Sequence, residues 1–219
     1  MDDISETGIP VSKFLLKSNQ GIGTFVRMDG ELVMLDGVVY QLRGDGVVRE
    51  AGLEDQVPFA MSTQFKPTIT IERPLSTKEM IDEALDSLVP HTANEFVSYR
   101  VEATFRYVKV RTVRGQEYKG QPLSELGKKQ SVFTYEDIEG IIVGFRSPQS
   151  WQGFSVAGEH LHFISKDRKK GGHVLELCTL DAKIGIALCS NVHIELPTSE
   201  DFNDAKLTVD DAGIRKVEG

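Results

Sequence analysis

The chain has 219 residues, 40% hydrophobic and 26% charged, which suits a globular protein of one large domain or two small ones sharing a core. Its 33 acidic side chains outnumber the 25 basic ones, a net charge of −8 that disfavours a nucleic-acid partner unless a local basic patch forms. The opening "MDDISETGIP" is unlike a signal peptide and no apolar run approaches the ~20 residues of a membrane helix, so a soluble cytoplasmic protein without membrane contact is expected.

From Gly21 the chain reads "GIGTFVRMDGELVMLDGVVYQLRGDGVVRE". Asp29-Gly30, Asp36-Gly37 and Asp45-Gly46 each separate short apolar or alternating runs, and Asp-Gly supplies the positive φ of tight hairpins, so a β-meander is predicted. "GIGTF" lacks the remaining glycine and the following helix of a phosphate loop, so it is a very weak nucleotide signal. A helix follows in "STKEMIDEALDSLVP", with Ser76 and Glu79 as a capping box, Met80, Ala84 and Leu88 on one face, Ile81 and Leu85 beside them, and Pro90 at the end.

"NEFVSYRVEATFRYVKVRTV" is rich in β-branched and aromatic residues and reads as strand. Near its end Val108 and Val110 point one way, Lys109 and Arg111 the other. A short helix around "PLSELGKKQ" leads to the buried strand "GIIVGF", then a histidine-bearing segment and a run of strands through "HVLELCTLDAKIGIALCSNVHIEL". Cys178 and Cys189 fall in this last run and read as small core residues, without CxxC spacing. The polar last twenty residues read by composition as a frayed tail. The predicted class is α+β and β-rich. Residues 1–20 form a divergent N-terminal segment and residues 21–121 a meander, helix and mixed sheet. Residues 122–219 form a smaller, barrel-like β-rich part.

Three of the five histidines lie in "GEHLHFISKDRKKGGHV". Read as a strand, "EHLHFIS" puts His160 and His162 on one side, with Leu161 and Phe163 entering the core from the other. "KDRKKGG" turns the chain as a solvated loop, and with the turn centred near Arg168, His173 falls opposite His162, about 4.5–5.5 Å away at Cβ. Three imidazole nitrogens at that separation can converge on one cation at about 2.0–2.1 Å each and leave coordination positions open, the pattern of a catalytic rather than a structural zinc. His91, after a helix-ending proline, and His193, in a late strand, lack this context and read as structural or solvent-facing.

Taken together, "GIGTFVRMDGELVMLDGVVYQLRGDG", "VPFA", "VEATFRYVKVRTV", "GIIVGFRSP", "GEHLHFISKDRKKGGHV" and the ending "FNDAKL…VEG" closely resemble the α-acetolactate decarboxylase family, in its order, over about nine tenths of the chain. The resemblance implies an α+β fold of two sheet-based parts with the active site between them, a homodimer, and conversion of 2-acetolactate to acetoin and carbon dioxide. It implies one Zn2+ per chain held by His160, His162 and His173. By the same resemblance Glu31 and Arg111 serve catalysis, Thr24 contacts substrate, and Glu218 folds back to the metal, reversing the compositional reading of the tail.

The chemistry is consistent with that set. A cation chelating two oxygens of the substrate would stabilise the enediolate formed as carbon dioxide departs, and no organic cofactor is needed. Arg111 can grip the substrate carboxylate with its fork, and charge stabilisation suits it better than proton donation because its pKa exceeds ~12. Glu31 and Glu218 can supply oxygen ligands or shuttle the proton. Two competing readings are a cupin-like metal oxygenase or isomerase, which wants a glutamate where Ser165 and Lys166 stand, and a DNA-associated regulator, which the acidic charge disfavours.

Overall fold

The computed structural model describes residues 5–121 and 123–204. In chain order these form β1 (Ile9–Pro10), α1 (Val11–Leu15), β2 (Gln20–Thr24), β3 (Glu31–Leu35), β4 (Val38–Leu42), β5 (Val48–Glu50), β6 (Gln56–Val57), β7 (Phe59–Thr63) and β8 (Ile69–Leu75). There follow α2 (Glu79–Leu88), β9 (Phe96–Thr112), α3 (Leu123–Leu126), β10 (Ser131–Ser147), β11 (Gly158–Ser165), β12 (Gly171–Cys189) and α4 (Glu200–Asp204). The class is α+β and β-rich, built among the described residues on two five-stranded sheets, with a separate two-stranded pairing of β1 and β6.

The predicted meander is the smaller sheet, in the order β5-β4-β3-β2-β7. Its hairpins turn at the three Asp-Gly pairs. At the second, Asp36 and Gly37 take φ of 52° and 79°, the paired positive values that glycine and aspartate tolerate best. At the first, a Cβ on Gly30 would lie 2.4 Å from the Leu42 carbonyl oxygen, so only glycine lets the two backbones approach. All pairings are antiparallel, so this sheet is not mixed.

The larger sheet runs β11-β10-β9-β12-β8. It takes β8 and β9 from before residue 122 and β10 to β12 from after it, so the units of the fold are the two sheets rather than two halves of the chain. β10 and β9 pair continuously from Ser131↔Thr112 to Arg146↔Val97. β12 is a single 19-residue strand with irregularities near Glu176 and Thr179, where the sequence suggested several strands. β11 pairs with β10 along its length and with β12 at its end, so β9, β10, β11 and β12 close on one another there. That closure includes β9, from before residue 122, and lies in the larger sheet, so it is not the smaller C-terminal part that the sequence suggested.

The helix α2 covers the larger sheet, not the smaller one. Ile81, Ala84 and Leu85 are buried in one cluster with Leu161, Phe163 and Val174 of that sheet, and Met80 and Leu88 pack against the same cluster. Burying Ile81 or Leu85 contributes about 1.5–3 kcal/mol each, and Ala84 less. The capping box does not form: Lys78 is the N-cap and no side chain caps the helix, while the Ser76 amide faces the Met80 sulfur at 3.2 Å. Asp82 in the first turn complements the helix dipole instead, together with Glu79.

Ile22, Val33, Leu35 and Leu42 from the smaller sheet meet Val143, Phe145 and Ile164 from the larger one. The opposite face of the smaller sheet packs Leu32, Met34 and Val39 against Val11 and Phe14 of α1. Residues 190–198, beyond β12, are not strand, and Glu195 pairs there with Lys13 at 3.0 Å and Lys17 at 2.6 Å. His193 therefore lies outside any strand, exposed and beside Lys17. Residues 200–204 are helical rather than frayed, and both cysteines are free and half-buried rather than core.

Candidate metal centre

Alternation along β11 sends Leu161 and Phe163 into the core under α2 and His160 and His162 to the other face. The hairpin reverses at Arg168, which takes φ of 58°, and this register sets His162 directly opposite His173. His173 is in turn paired with Arg111 of β9. Three adjacent strands thus put His162, His173 and Arg111 side by side in one row, with His160 two residues along β11.

The three imidazoles are buried, with ring centroids 5.0 to 5.4 Å apart, and each offers a nitrogen within 4.8 Å of the others. His160 Nε2 and His162 Nε2 are 3.2 Å apart. Ligands about 2.0–2.1 Å from a tetrahedral zinc stand at about that spacing, so the donor set fits such an ion. The Leu32 carbonyl lies 2.8 Å from His162 Nδ1 and can only accept, so that nitrogen carries the proton and Nε2 presents its lone pair. The smaller sheet therefore selects the tautomer of a histidine on the larger one.

Burial, reinforced by the Arg111 charge and then that of Lys78, pushes the His160 pKa down to about 3. The same burial, Arg111 and the two neighbouring histidines hold His173 well below its ordinary value. Neutral rings are what a cation requires of imidazole ligands.

The smaller sheet faces this trio with Thr24 and Glu31, which are direct cross-strand partners on β2 and β3. The Glu31 carboxylate bridges the two sheets, with Oε1 3.2 Å from Arg111 Nη1 and Oε2 3.5 Å from His162 Nε2. Thr24 Oγ1 donates to the Gly30 carbonyl at 2.8 Å, which leaves its lone pairs as acceptors. Arg111, Glu31 and Thr24 are all buried. Six of the seven residues singled out in the sequence thus gather in one place; Glu218 lies outside the described residues.

Sequence reasoning missed the Leu32 carbonyl and Lys78. A main-chain acceptor leaves no side-chain signal, and Lys78 reads only as the approach to a helix. The basic loop after the histidines is engaged locally: Lys166 pairs with Glu139 at 2.7 Å, Arg168 lies over Tyr40 and Lys170 over Tyr135. His91 is exposed.

The family model for alpha-acetolactate decarboxylase matches residues 1–209. An alpha-acetolactate decarboxylase of Klebsiella aerogenes is 36% identical over 225 aligned positions, covering 100% of this chain and 85% of that protein. One from Bacillus licheniformis is 37% identical, covering 100% and 87%. The crystal structure of alpha-acetolactate decarboxylase from Bacillus subtilis strain 168 superposes with a TM-score of 0.94 at 34% identity, covering 100% of this chain and 94% of that one.

Proposed function

The chain belongs to the alpha-acetolactate decarboxylase family, and from that premise we propose that it converts 2-acetolactate to acetoin and carbon dioxide at the site between its two sheets, with one zinc ion held by His160, His162 and His173. The observation that carries the reading is the convergence of three buried histidines beside the buried Arg111–Glu31 pair, 3.2 Å apart.

2-Acetolactate carries a carboxylate, a tertiary hydroxyl and a ketone on adjacent carbons. Breaking the bond to the carboxylate leaves an electron pair that the neighbouring ketone must absorb. When bound, the metal supplies Lewis-acid stabilisation of the charge that builds on oxygen. Arg111 holds the substrate carboxylate with its planar fork and orients the bond to be broken. Glu31, set between Arg111 and His162, takes the proton from the substrate hydroxyl and returns it to that oxygen in the product, while the carbon that lost the carboxylate takes up one further proton that comes from water. Thr24 accepts a hydrogen bond from the substrate. Glu218 is read as a second acid from the family resemblance alone; Glu218→Gln with undiminished turnover would remove it from the set.

The reading includes a cytoplasmic location and a homodimer, the latter expected from the family resemblance alone; light scattering at a monomer mass would remove the dimer. The described residues contain no helix long and apolar enough to cross a membrane.

The deciding experiment measures acetoin from racemic acetolactate before chelation, after it, and after zinc is restored. Activity lost to the chelator and returned by zinc is expected. Folded, zinc-loaded protein that makes no acetoin would overturn the substrate assignment. Activity indifferent to exhaustive chelation would overturn the metal.

A further inference from the structure

The six residues between Thr24 and Glu31 are held in a conformation that their sequence does not favour. Arg27 and Met28 are consecutive non-glycine residues in the left-handed region, with φ of 59° and 57°, and Gly30 follows at 81°. Two such residues in succession are costly to an L-chain and persist only where surroundings impose them. Here the surroundings are visible on both sides. The Arg27 amide donates to the Ser5 carbonyl at 2.6 Å, and the Arg27 carbonyl accepts from the Gln116 amide at 2.7 Å.

The other side is held by Gln41 of β4, a buried side chain on the face of the smaller sheet turned away from the histidines. Gln41 Nε2 donates to the Asp29 carbonyl at 2.6 Å and to Asp29 Oδ2 at 3.1 Å. Its Oε1 accepts from Arg49 Nε at 2.7 Å, and Arg49 Nη1 reaches Asp55 Oδ2 at 2.6 Å. That chain of contacts fixes the amide: with Oε1 committed to Arg49, only the NH2 can face Asp29. The guanidinium of Arg49 also lies over the ring of Phe25, the residue that opens the turn.

Asp29 is two residues before Glu31, whose carboxylate is the bridge between Arg111 and His162. Gly30 between them is held tightly, its amide donating to the Met28 carbonyl at 2.9 Å, its carbonyl accepting from Thr24 Oγ1 at 2.8 Å and its Cα packed too close to the Leu42 carbonyl for any Cβ, so a rotation of the Asp29 carbonyl is passed on to Glu31 rather than absorbed. We propose that Gln41 is a positioning residue: by clamping the Asp29 carbonyl from the far face of the smaller sheet, it holds the strained turn in the form that aims Glu31 at Arg111 and His162. Gln41 touches neither substrate nor ligand histidine and acts only through the turn. The catalytic consequence rests on the proposed decarboxylase reading; the geometric one does not.

Gln41→Met removes the donor while keeping length and volume, and Asp29→Asn keeps the main-chain clamp while altering the side-chain contact. With zinc saturating, kcat of Gln41→Met is expected to fall at least about 10-fold, with KM, histidine-bound metal content and thermal midpoint near wild type. Asp29→Asn is expected to stay within about 2-fold. A Gln41→Met enzyme with wild-type kcat would overturn the proposal, as would an Asp29→Asn enzyme damaged equally. Should Gln41→Met fail to fold, Arg49→Met, which frees the amide to rotate, is expected to lose turnover at unchanged metal content, and full activity would overturn the clamp. A crystal structure of either folded variant reads the aim of Glu31 directly: the 3.2 Å contact with Arg111 should be broken, and its persistence would overturn the proposal even if the wild type makes no acetoin.

Discussion

Replacing His162 by alanine removes a ring whose Nδ1–H is committed to the Leu32 carbonyl and whose Nε2 stands 3.2 Å from that of His160. Loss of a supporting contact to a metal ligand costs roughly 10–100-fold in affinity, and loss of the ligand itself should exceed that. His162→Ala is therefore expected to purify without zinc and without turnover, and full zinc occupancy measured by elemental analysis would sink the ligand assignment. Arg111→Lys keeps the charge but replaces a planar fork by a point donor. We expect kcat/KM to fall about 100-fold at unchanged zinc content; an active Arg111→Lys enzyme would mean the fork does not grip the carboxylate. The histidine pairing was legible because strand alternation and a short turn centred on Arg168 determine which side chains meet. The role of Leu32 was not, since any residue there offers the same carbonyl.

Within α2, Leu85 is wholly buried against the larger sheet, whereas Ser76 caps nothing. Leu85→Ala should destabilise the protein by about 2–5 kcal/mol, the transfer term plus the cavity left behind. Ser76→Ala should stay within about 0.5 kcal/mol, against the ~1 kcal/mol that a working cap is worth. Urea unfolding of both variants separates the two expectations, and a large loss in Ser76→Ala would restore the capping box. Helix and meander were both legible, one from its 3.6-residue apolar stripe and the other from three Asp-Gly pairs. Their partners were not. A stripe of Ile81, Ala84 and Leu85 specifies that a helix buries one face, but not which sheet lies beneath it. Likewise "HVLELCTLDAKIGIALC" contains the residues of a strand throughout, and pairing with β9 makes it one long strand rather than several.

The two sheets closing on each other create the buried environment that lowers the pKa of His160 and His173. The His160 pKa is depressed from 6.5 to about 3, and His173 shifts the same way. Between those pH values the unfolded chain binds more protons than the folded one, so stability present above about pH 6.5 is lost as pH falls toward 3. Chelated protein should thus have a lower urea midpoint at pH 5 than at pH 7.5; an unchanged midpoint would mean the rings are not desolvated. Hydrophobic period, turn chemistry and residue type are local properties, so the meander, the α2 helix, the α+β class and the candidate histidine, glutamate and arginine side chains were readable from the sequence alone. Only the tertiary structure decided that β8 and β9 join the strands that follow residue 122, that α2 covers the larger sheet, and that Glu31 and Thr24 face the histidines across the gap. Those outcomes depend on which apolar faces bury each other, a choice made between segments far apart in the chain that no single segment carries.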